Sequence, residues 1–342
     1  MSRTRNTCRA MPLHYEDRDC GAAKIRPDQC LLTTPKPFAD QENTVRSERT
    51  QSTLVVCVDG SGPSDAAVRW AVGESVMRER PITLIHVVAP TPIDSTMAPD
   101  GAIPQVRLDQ ARQIVQHSRE IADELTDGKH PRMQTEITYA SVVSTFIEAS
   151  QHAYMMVTGS RGVDASSAYR LGSVSAALLR DARCPVAVVH DRQHVGQNVA
   201  DASPVLLGID GTPASEAATA LAFDEASRRQ VPLLALHAWS DVGVFPILGM
   251  DWHVNRDQGD EVLGERLAGW HERYPDVQVE RKLVCDVPAR WLVQESTRAQ
   301  LVVLGRRGRG GYPGMRLGSV SSAVAQSARV PVIVVPDDQP WD

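Results

Sequence analysis

Aromatic residues make up only 5% of the 342-residue chain. No apolar run approaches the roughly 18 residues that a membrane-crossing helix needs. The first scarcity removes the interleaved aromatic platforms of a single-stranded nucleic-acid binder. Positive charge is not in excess either: 36 Lys and Arg against 42 Asp and Glu leave a formal net charge of −6, so no broad basic field invites nucleic acid. The six cysteines, Cys8, Cys20, Cys30, Cys57, Cys184 and Cys285, match no common zinc spacing. Cys57 and Cys184 lie in or beside apolar runs, where small thiols are commonly buried. With no secretory leader pattern to read, the expected setting is reducing and cytoplasmic, with no membrane partner. The chain has no Gly-x-Ser-x-Gly elbow, no Gly-x4-Gly-Lys-Ser/Thr loop and no His-Glu-x2-His. No carboxylate or histidine cluster nominates a catalytic group. The chemistry to expect is binding, and the chain is expected not to be an enzyme.

What is present is a duplication. Gly159-Ser160-Arg161-Gly162, nine residues, then Gly172-Ser173 is matched by Gly305-Arg306-Arg307-Gly308, nine residues, then Gly318-Ser319, every glycine offset by 146. Upstream, Val58-Asp59-Gly60-Ser61 is matched by Ile209-Asp210-Gly211-Thr212, and His86 by His237, at an offset of 151. The second copy has therefore lost five residues, around 89–130 and 240–274. With 42% hydrophobic and 23% charged residues, the chain is ordinary globular material, long enough for two cored domains.

Each copy reads as alternating strands and helices. Apolar runs at 53–58 and 205–209 end in turns, as buried parallel strands do. Helices follow at 64–80, where Val68, Ala71, Val72, Ser75 and Val76 are expected to form one buried stripe, and at 215–230. Further strands are predicted at 82–88 and 233–239, 134–139 and 277–284, 155–158 and 301–304, and 185–189 and 331–335. Helices are predicted near 143–152, 289–298, 173–181 and 319–327. This pattern predicts two tandem doubly wound α/β domains, at 51–190 and 205–336. A disordered extension is expected at 1–50, a linker at 191–204 and a tail at 337–342. The extension reads as dispensable, or as an over-long translated start, rather than as a regulatory arm. The last strand of each domain, entered through Pro185 or Pro331, is short and apolar and is expected at a sheet edge. The two domains are expected to pair through these strands, and a homodimer is expected as well.

The glycine motif follows the carboxyl end of a strand, where open α/β sheets bind ligands. Gly159 and Gly162 would expose backbone N–H groups to phosphate oxygens. Ser173 and Ser175, or Ser319 and Ser321, would add hydroxyl donors at a helix start, and Arg161, Arg306, Arg307 and Arg309 would supply charge. The competing reading is that the glycines only permit a tight turn. Asp59 and Asp210 would accept bonds from a ribose or an adenine amino group, against a bland role in turn formation. His86 and His237 read as packed, hydrogen-bonded core histidines. Trp239 fits base stacking or core packing.

At these residues, over about 53–336, the chain resembles the universal stress protein family, specifically its tandem-domain actinobacterial members. The resemblance implies a five-stranded parallel sheet of order 3-2-1-4-5 in each domain, with helices on both faces. It implies ATP as ligand, with Mg2+, and little or no turnover. It also implies a link to stress, hypoxia or dormancy, and an unidentified regulatory protein partner. The adenosine part would meet Val58, Asp59 and Val87 in the first domain and Ile209, Asp210 and Ala238 in the second. The phosphates would meet Thr158, Gly159, Gly162, Gly172, Ser173, Val174 and Ser175, and in the second domain Leu304, Gly305, Gly308, Gly318, Ser319, Val320 and Ser321.

The chain departs from the family in places. Tyr154 and Gln300 stand where an aspartate commonly precedes the fourth strand. The Gly-x-Pro after the third strand survives only as Pro288, after Asp286, in the second copy. Asp164 would set negative charge near the first phosphates, so the second site is expected to be the better one. The leading reading is an ATP-binding sensor or regulator. The alternatives are a nucleotide-free structural or partner-binding module and, third, a weak ATPase.

Overall fold

The structure, a computed structural model, describes residues 53–91, 104–129, 131–162, 171–191, 202–239, 252–309 and 314–337. The readings of residues 1–50, of Asp164 and of most of the linker and tail lie outside these residues. So do Cys8, Cys20 and Cys30. All described residues belong to one compact unit, Asn43–Asp342.

The first repeat runs β1 (Leu54–Cys57), α1 (Gly62–Arg78), β2 (Ile82–Val88), α2 (Gln105–Thr126), β3 (Met133–Tyr139), α3 (Val142–Ala149), β4 (Met155–Gly159), α4 (Ser173–Asp181) and β5 (Val186–Val189). The second runs β6 (Val205–Ile209), a 3-10 turn, α5 (Glu216–Arg229), β7 (Leu233–Ala238), α6 (Trp252–Leu267), α7 (Trp270–Arg273), β8 (Val279–Val284), α8 (Pro288–Glu295), a 3-10 turn, β9 (Leu301–Gly305), α9 (Ser319–Ser327) and β10 (Val332–Val335). The helices at the glycine motifs, α4 and α9, have the bounds the sequence predicts. Elsewhere the boundaries shift by up to three residues, and the helix predicted at 289–298 closes as a 3-10 turn, Ser296–Arg298.

The strands form one ten-stranded sheet, β3-β2-β1-β4-β5-β10-β9-β6-β7-β8. Each half has the expected order 3-2-1-4-5 and is parallel throughout. The halves join where β5 and β10 pair antiparallel, with Ala187 opposite Ile333. The two apolar strands expected at sheet edges thus cover each other, which removes the exposed backbone of both. The strands now at the edges, β3 and β8, are the ones with exposed residues, among them Gln134, Thr135, Glu280 and Arg281.

Central strands such as LVVC and LVVLG are buried residue by residue because helices cover both faces. Leu54, Val56 and Val58 face α1 and α2, and Val205, Leu207 and Ile209 face α5 and α6. Val55, Cys57 and Val186 face α3 and α4, and Val302, Leu304 and Val332 face α8 and α9. Cys57 and Cys184 are buried as expected, and burial pushes the Cys184 thiol up to about 12. They act as small apolar residues.

One stripe differs from expectation. Val76 is 49% exposed, while Glu74 and Arg78 are buried. The reason is a closed ring of charges between the repeats. Arg78 Nε lies 3.1 Å from Glu74 Oε2, and its Nη2 lies 2.5 Å from Glu225 Oε1. Arg229 Nε lies 3.0 Å from Glu225 Oε2, and its Nη2 returns to Glu74 Oε1. Glu225 and Arg229 stand 151 residues after Glu74 and Arg78, so the ring follows the duplication. Tyr154 OH accepts from Arg78 at 2.9 Å, and Gln300 Oε1 from Arg229 at 3.2 Å. The two positions that depart from the family's aspartate therefore hold the ring. Asp224 breaks the symmetry: it pairs with Arg78 at 2.6 Å and with the half-exposed Arg228 at 2.9 Å.

Three carboxylates thus surround the buried Arg78, with the partly buried Arg229 shared by two of them. Burial, with Glu225 beside it, pushes the Glu74 carboxyl up from 4.5 to about 7 despite both arginines. The folded chain then holds this proton more tightly than the unfolded one. The contribution to unfolding free energy is present below the unfolded value and is lost as pH rises from about 4.5 to about 7. Denaturant midpoints at pH 5 and pH 7.5 are expected to show that fall, and a Glu74→Gln chain is expected to lack it.

Candidate functional site

Both glycine motifs sit at the carboxyl edge of the sheet, and both close in the same way. Gly172 N donates to Ser160 O at 2.9 Å, and Gly318 N to Arg306 O at 2.8 Å. Ser175 Oγ donates to Gly159 O, and Ser321 Oγ to Gly305 O, each at 2.7 Å. These bonds return the chain to the strand end after the nine-residue excursion, and they place the start of α4 or α9 beside it. Gly172 and Gly318 are the helix N-caps and carry no side chain to cap the helix. The first-turn N–H groups are therefore left without a side-chain cap, beside the exposed Ser173 or Ser319, the arrangement that suits an anion.

The two aspartates do the bland job with one oxygen. Asp59 Oδ1 accepts from Ser61 N at 2.9 Å and from Ser61 Oγ at 2.6 Å. Asp210 Oδ1 accepts from Thr212 N and Thr212 Oγ1, each at 2.9 Å. The other oxygen faces the loop: a Cβ on Gly162 would stand 2.7 Å from Asp59 Oδ2, and one on Gly308 2.5 Å from Asp210 Oδ2. A side chain at the second glycine of either motif would thus push the aspartate's Oδ2 aside. The first glycine has a structural reason too, since a Cβ on Gly159 would lie 2.6 Å from the Pro63 carbonyl carbon.

Several sequence expectations change at this point. Ser175 and Ser321 are buried and give their hydroxyl protons to the glycine carbonyls, so they brace the loop rather than reach outward. Thr158 is buried against Ser175. The arginines near the second motif do not converge on the phosphate end. Arg306 donates across the repeat junction to Ala182 O at 2.9 Å. Arg307 pairs with Asp337. Arg309 turns toward Asp210 and His237. Backbone carbonyls and a nearby carboxylate offer better partners than open solvent. His86 and His237 are hydrogen-bonded as expected, Nδ1 lying 2.8 Å from Val58 O and 2.7 Å from Ile209 O.

In the second repeat these elements line an open cleft of about 750 Å³, within the range of about 300–1,000 Å³ for small-molecule sites. Ile209, Asp210, Ala238, Leu304, Gly305, Gly308, Gly318, Ser319, Val320 and Ser321 all line it. The sequence did not single out its apolar wall, formed by Leu236, Val287, Ala289, Leu292 and Met315. In the first repeat, Val58, Asp59, Val87, Thr158, Gly159, Gly162 and the residues Gly172, Ser173, Val174 and Ser175 stand on the equivalent strand ends and helix start. The loop between them lies outside the described residues. No group of three or more His, Cys, Asp or Glu that could hold a metal occurs among the described residues.

The missing Gly of the family's Gly-x-Pro leaves a mark on the cavity wall. Asp286 and Val287, just before Pro288, take φ of 53° and 43°, a region that costs an L-residue about 1–2 kcal/mol. Val287→Gly is expected to stabilise the chain by about 1 kcal/mol, read as a raised denaturant midpoint.

Comparison with known proteins agrees with this architecture. The model of the universal stress protein family matches residues 52–190 and again 202–336. A universal stress protein of Mycolicibacterium smegmatis is 49% identical over 288 residues, 84% of this chain and 97% of the relative. One from Mycobacterium tuberculosis is 49% identical over 291 residues, 84% and 97% of the two chains. The crystal structure of a universal stress protein from Archaeoglobus fulgidus superposes with a TM-score of 0.60 over 84% of this chain and 99% of that one; at 19% identity it speaks for the fold alone. No helix among the described residues is long and apolar enough to cross a membrane. The chain belongs to the universal stress protein family and carries that family's domain twice, in tandem.

Proposed function

We propose that this universal stress protein binds ATP, with Mg2+, at the carboxyl edge of each half of its sheet, and acts as a nucleotide-dependent sensor or regulator rather than an enzyme. The observation that carries this reading is the cavity in the second repeat. One end offers Asp210 and the Ala238 carbonyl for a nucleoside, and the other offers the uncapped start of α9 for phosphates. Its apolar wall of Leu236, Leu292 and Met315 suits the faces of a purine. Turnover has little support. His237, the histidine at this site, is committed through Nδ1 to Ile209 O, and the Ser321 hydroxyl is committed to Gly305 O.

The reading extends to a cytoplasmic role in stress, hypoxia or dormancy, exerted on a protein partner, and to a homodimer. Since β5 and β10 satisfy each other, the dimer would use a surface other than those strands. Light scattering tests it, and a monomer mass removes it. The binding claim is tested by denaturing the purified chain and separating the supernatant by nucleotide chromatography. ATP is the expected product. No nucleotide, even after incubation with ATP and Mg2+, overturns the reading.

A further inference from the structure

We propose that Arg309 is a built-in competitor for the nucleoside end of the second cavity, so that ATP enters this site only by displacing the chain's own guanidinium. This rests on the ATP reading above and adds to it a regulation confined to one of the two sites.

The placement of Arg309 carries the inference. Its backbone N donates to Asp210 Oδ2 at 2.8 Å, and its Nε donates to Asp210 O. Its Nη2 lies 3.3 Å from Ala238 O, and 2.9 Å and 3.3 Å from His237 Nε2 and Nδ1. The guanidinium therefore lies against the imidazole ring rather than along one nitrogen's lone pair. The ring itself is fixed by the 2.7 Å contact of Nδ1 with Ile209 O. The guanidinium, a planar cation with five donors, thus gathers Asp210, Ala238 and His237 around itself. Asp210 and Ala238 are acceptors that an adenine amino group or ribose hydroxyls would need. A side chain serving the triphosphate would point to the other end, toward Ser319. Residue 163, which is 146 positions earlier, is valine, so the first site has no such cation at that position.

Arg309 is exposed and also lines the cavity. Exposed hydrogen bonds are individually weak, so a ligand can displace it. The apparent dissociation constant rises as the fraction of chains with the cavity open falls. About a tenfold penalty follows if roughly one chain in ten is open at any time.

The test uses the full chain, stripped of nucleotide, with Ser173→Glu to close the first site by like charge. ATP with Mg2+ is titrated into this chain and into the same chain carrying Arg309→Ala or, as a milder neutral replacement, Arg309→Gln. In parallel, the 15N shift of His237 Nε2 is read without ligand. The expected result is about tenfold tighter binding in both replacements, with a His237 signal altered by them and altered likewise when ATP binds the parent. Binding that is unchanged or weakened overturns the competition and leaves the ATP reading standing. Absence of binding in all three chains overturns the ATP reading of the second site, and the competition with it.

Discussion

Arg78→Ala is expected to lower the unfolding free energy by about 3–5 kcal/mol, the cost of breaking a buried ion pair from one side. The side chain is 2% exposed and is gripped by Glu74, Asp224 and Glu225. Its removal leaves the buried Glu74 and Glu225 with only the partly buried Arg229, and Asp224 with only the half-exposed Arg228. The loss lies in the stranded charges more than in the missing attraction. Replacing Glu74, Arg78, Glu225 and Arg229 together by apolar residues of similar volume is therefore expected to cost far less than Arg78→Ala alone. Denaturant unfolding of the single and quadruple variants checks both statements. If the single replacement lowers stability by less than about 1 kcal/mol, as exposed pairs do, the ring is not the clamp described.

Ser319→Glu is expected to weaken ATP binding at the second site by more than about a hundredfold while leaving stability unchanged or slightly raised. Ser319 is the first residue of α9, exposed, beside an N-cap glycine. A carboxylate there suits the positive end of the helix, worth about 0.3–1 kcal/mol. It would stand where the triphosphate is proposed to sit, and so takes the N–H groups and repels the ligand at once. A loss of about 2.8 kcal/mol is a hundredfold in affinity. Bulk at Gly305 is a poorer probe, because a Cβ there would press the Ala214 carbonyl at 3.1 Å and confuse binding with folding. Titration of ATP into a chain already carrying Ser173→Glu, with thermal unfolding of the same sample, separates the two effects.

The sheet was readable from the chain because its central strands are uninterrupted apolar runs. The duplication was readable because the glycine and aspartate motifs recur at fixed offsets. The join between β5 and β10 followed from two short apolar strands that needed covering. The charge ring was not read, although its signal was present: a Glu and an Arg four residues apart on a helix look like a solvated face, and only the second copy of that pair, 151 residues on, hints otherwise. Val76 is exposed for the same reason, because the ring draws Glu74 and Arg78 of that helix inward. The arginines of Arg306-Arg307-Gly308-Arg309 were assigned to phosphates by proximity in sequence. Their targets, Ala182, Asp337 and Asp210, become neighbours only in three dimensions. The hydroxyls of Ser175 and Ser321 look like ligand donors until the glycine carbonyl 16 residues earlier arrives beside them.

The most direct measurement is an equilibrium titration of ATP and Mg2+ into the nucleotide-stripped full chain, by calorimetry. The account predicts two binding events. One is removed by Ser173→Glu, and the other is removed by Ser319→Glu and strengthened by Arg309→Ala. No binding at millimolar ATP, or binding that neither glutamate alters, would contradict the assignment of nucleotide sites to the two glycine loops.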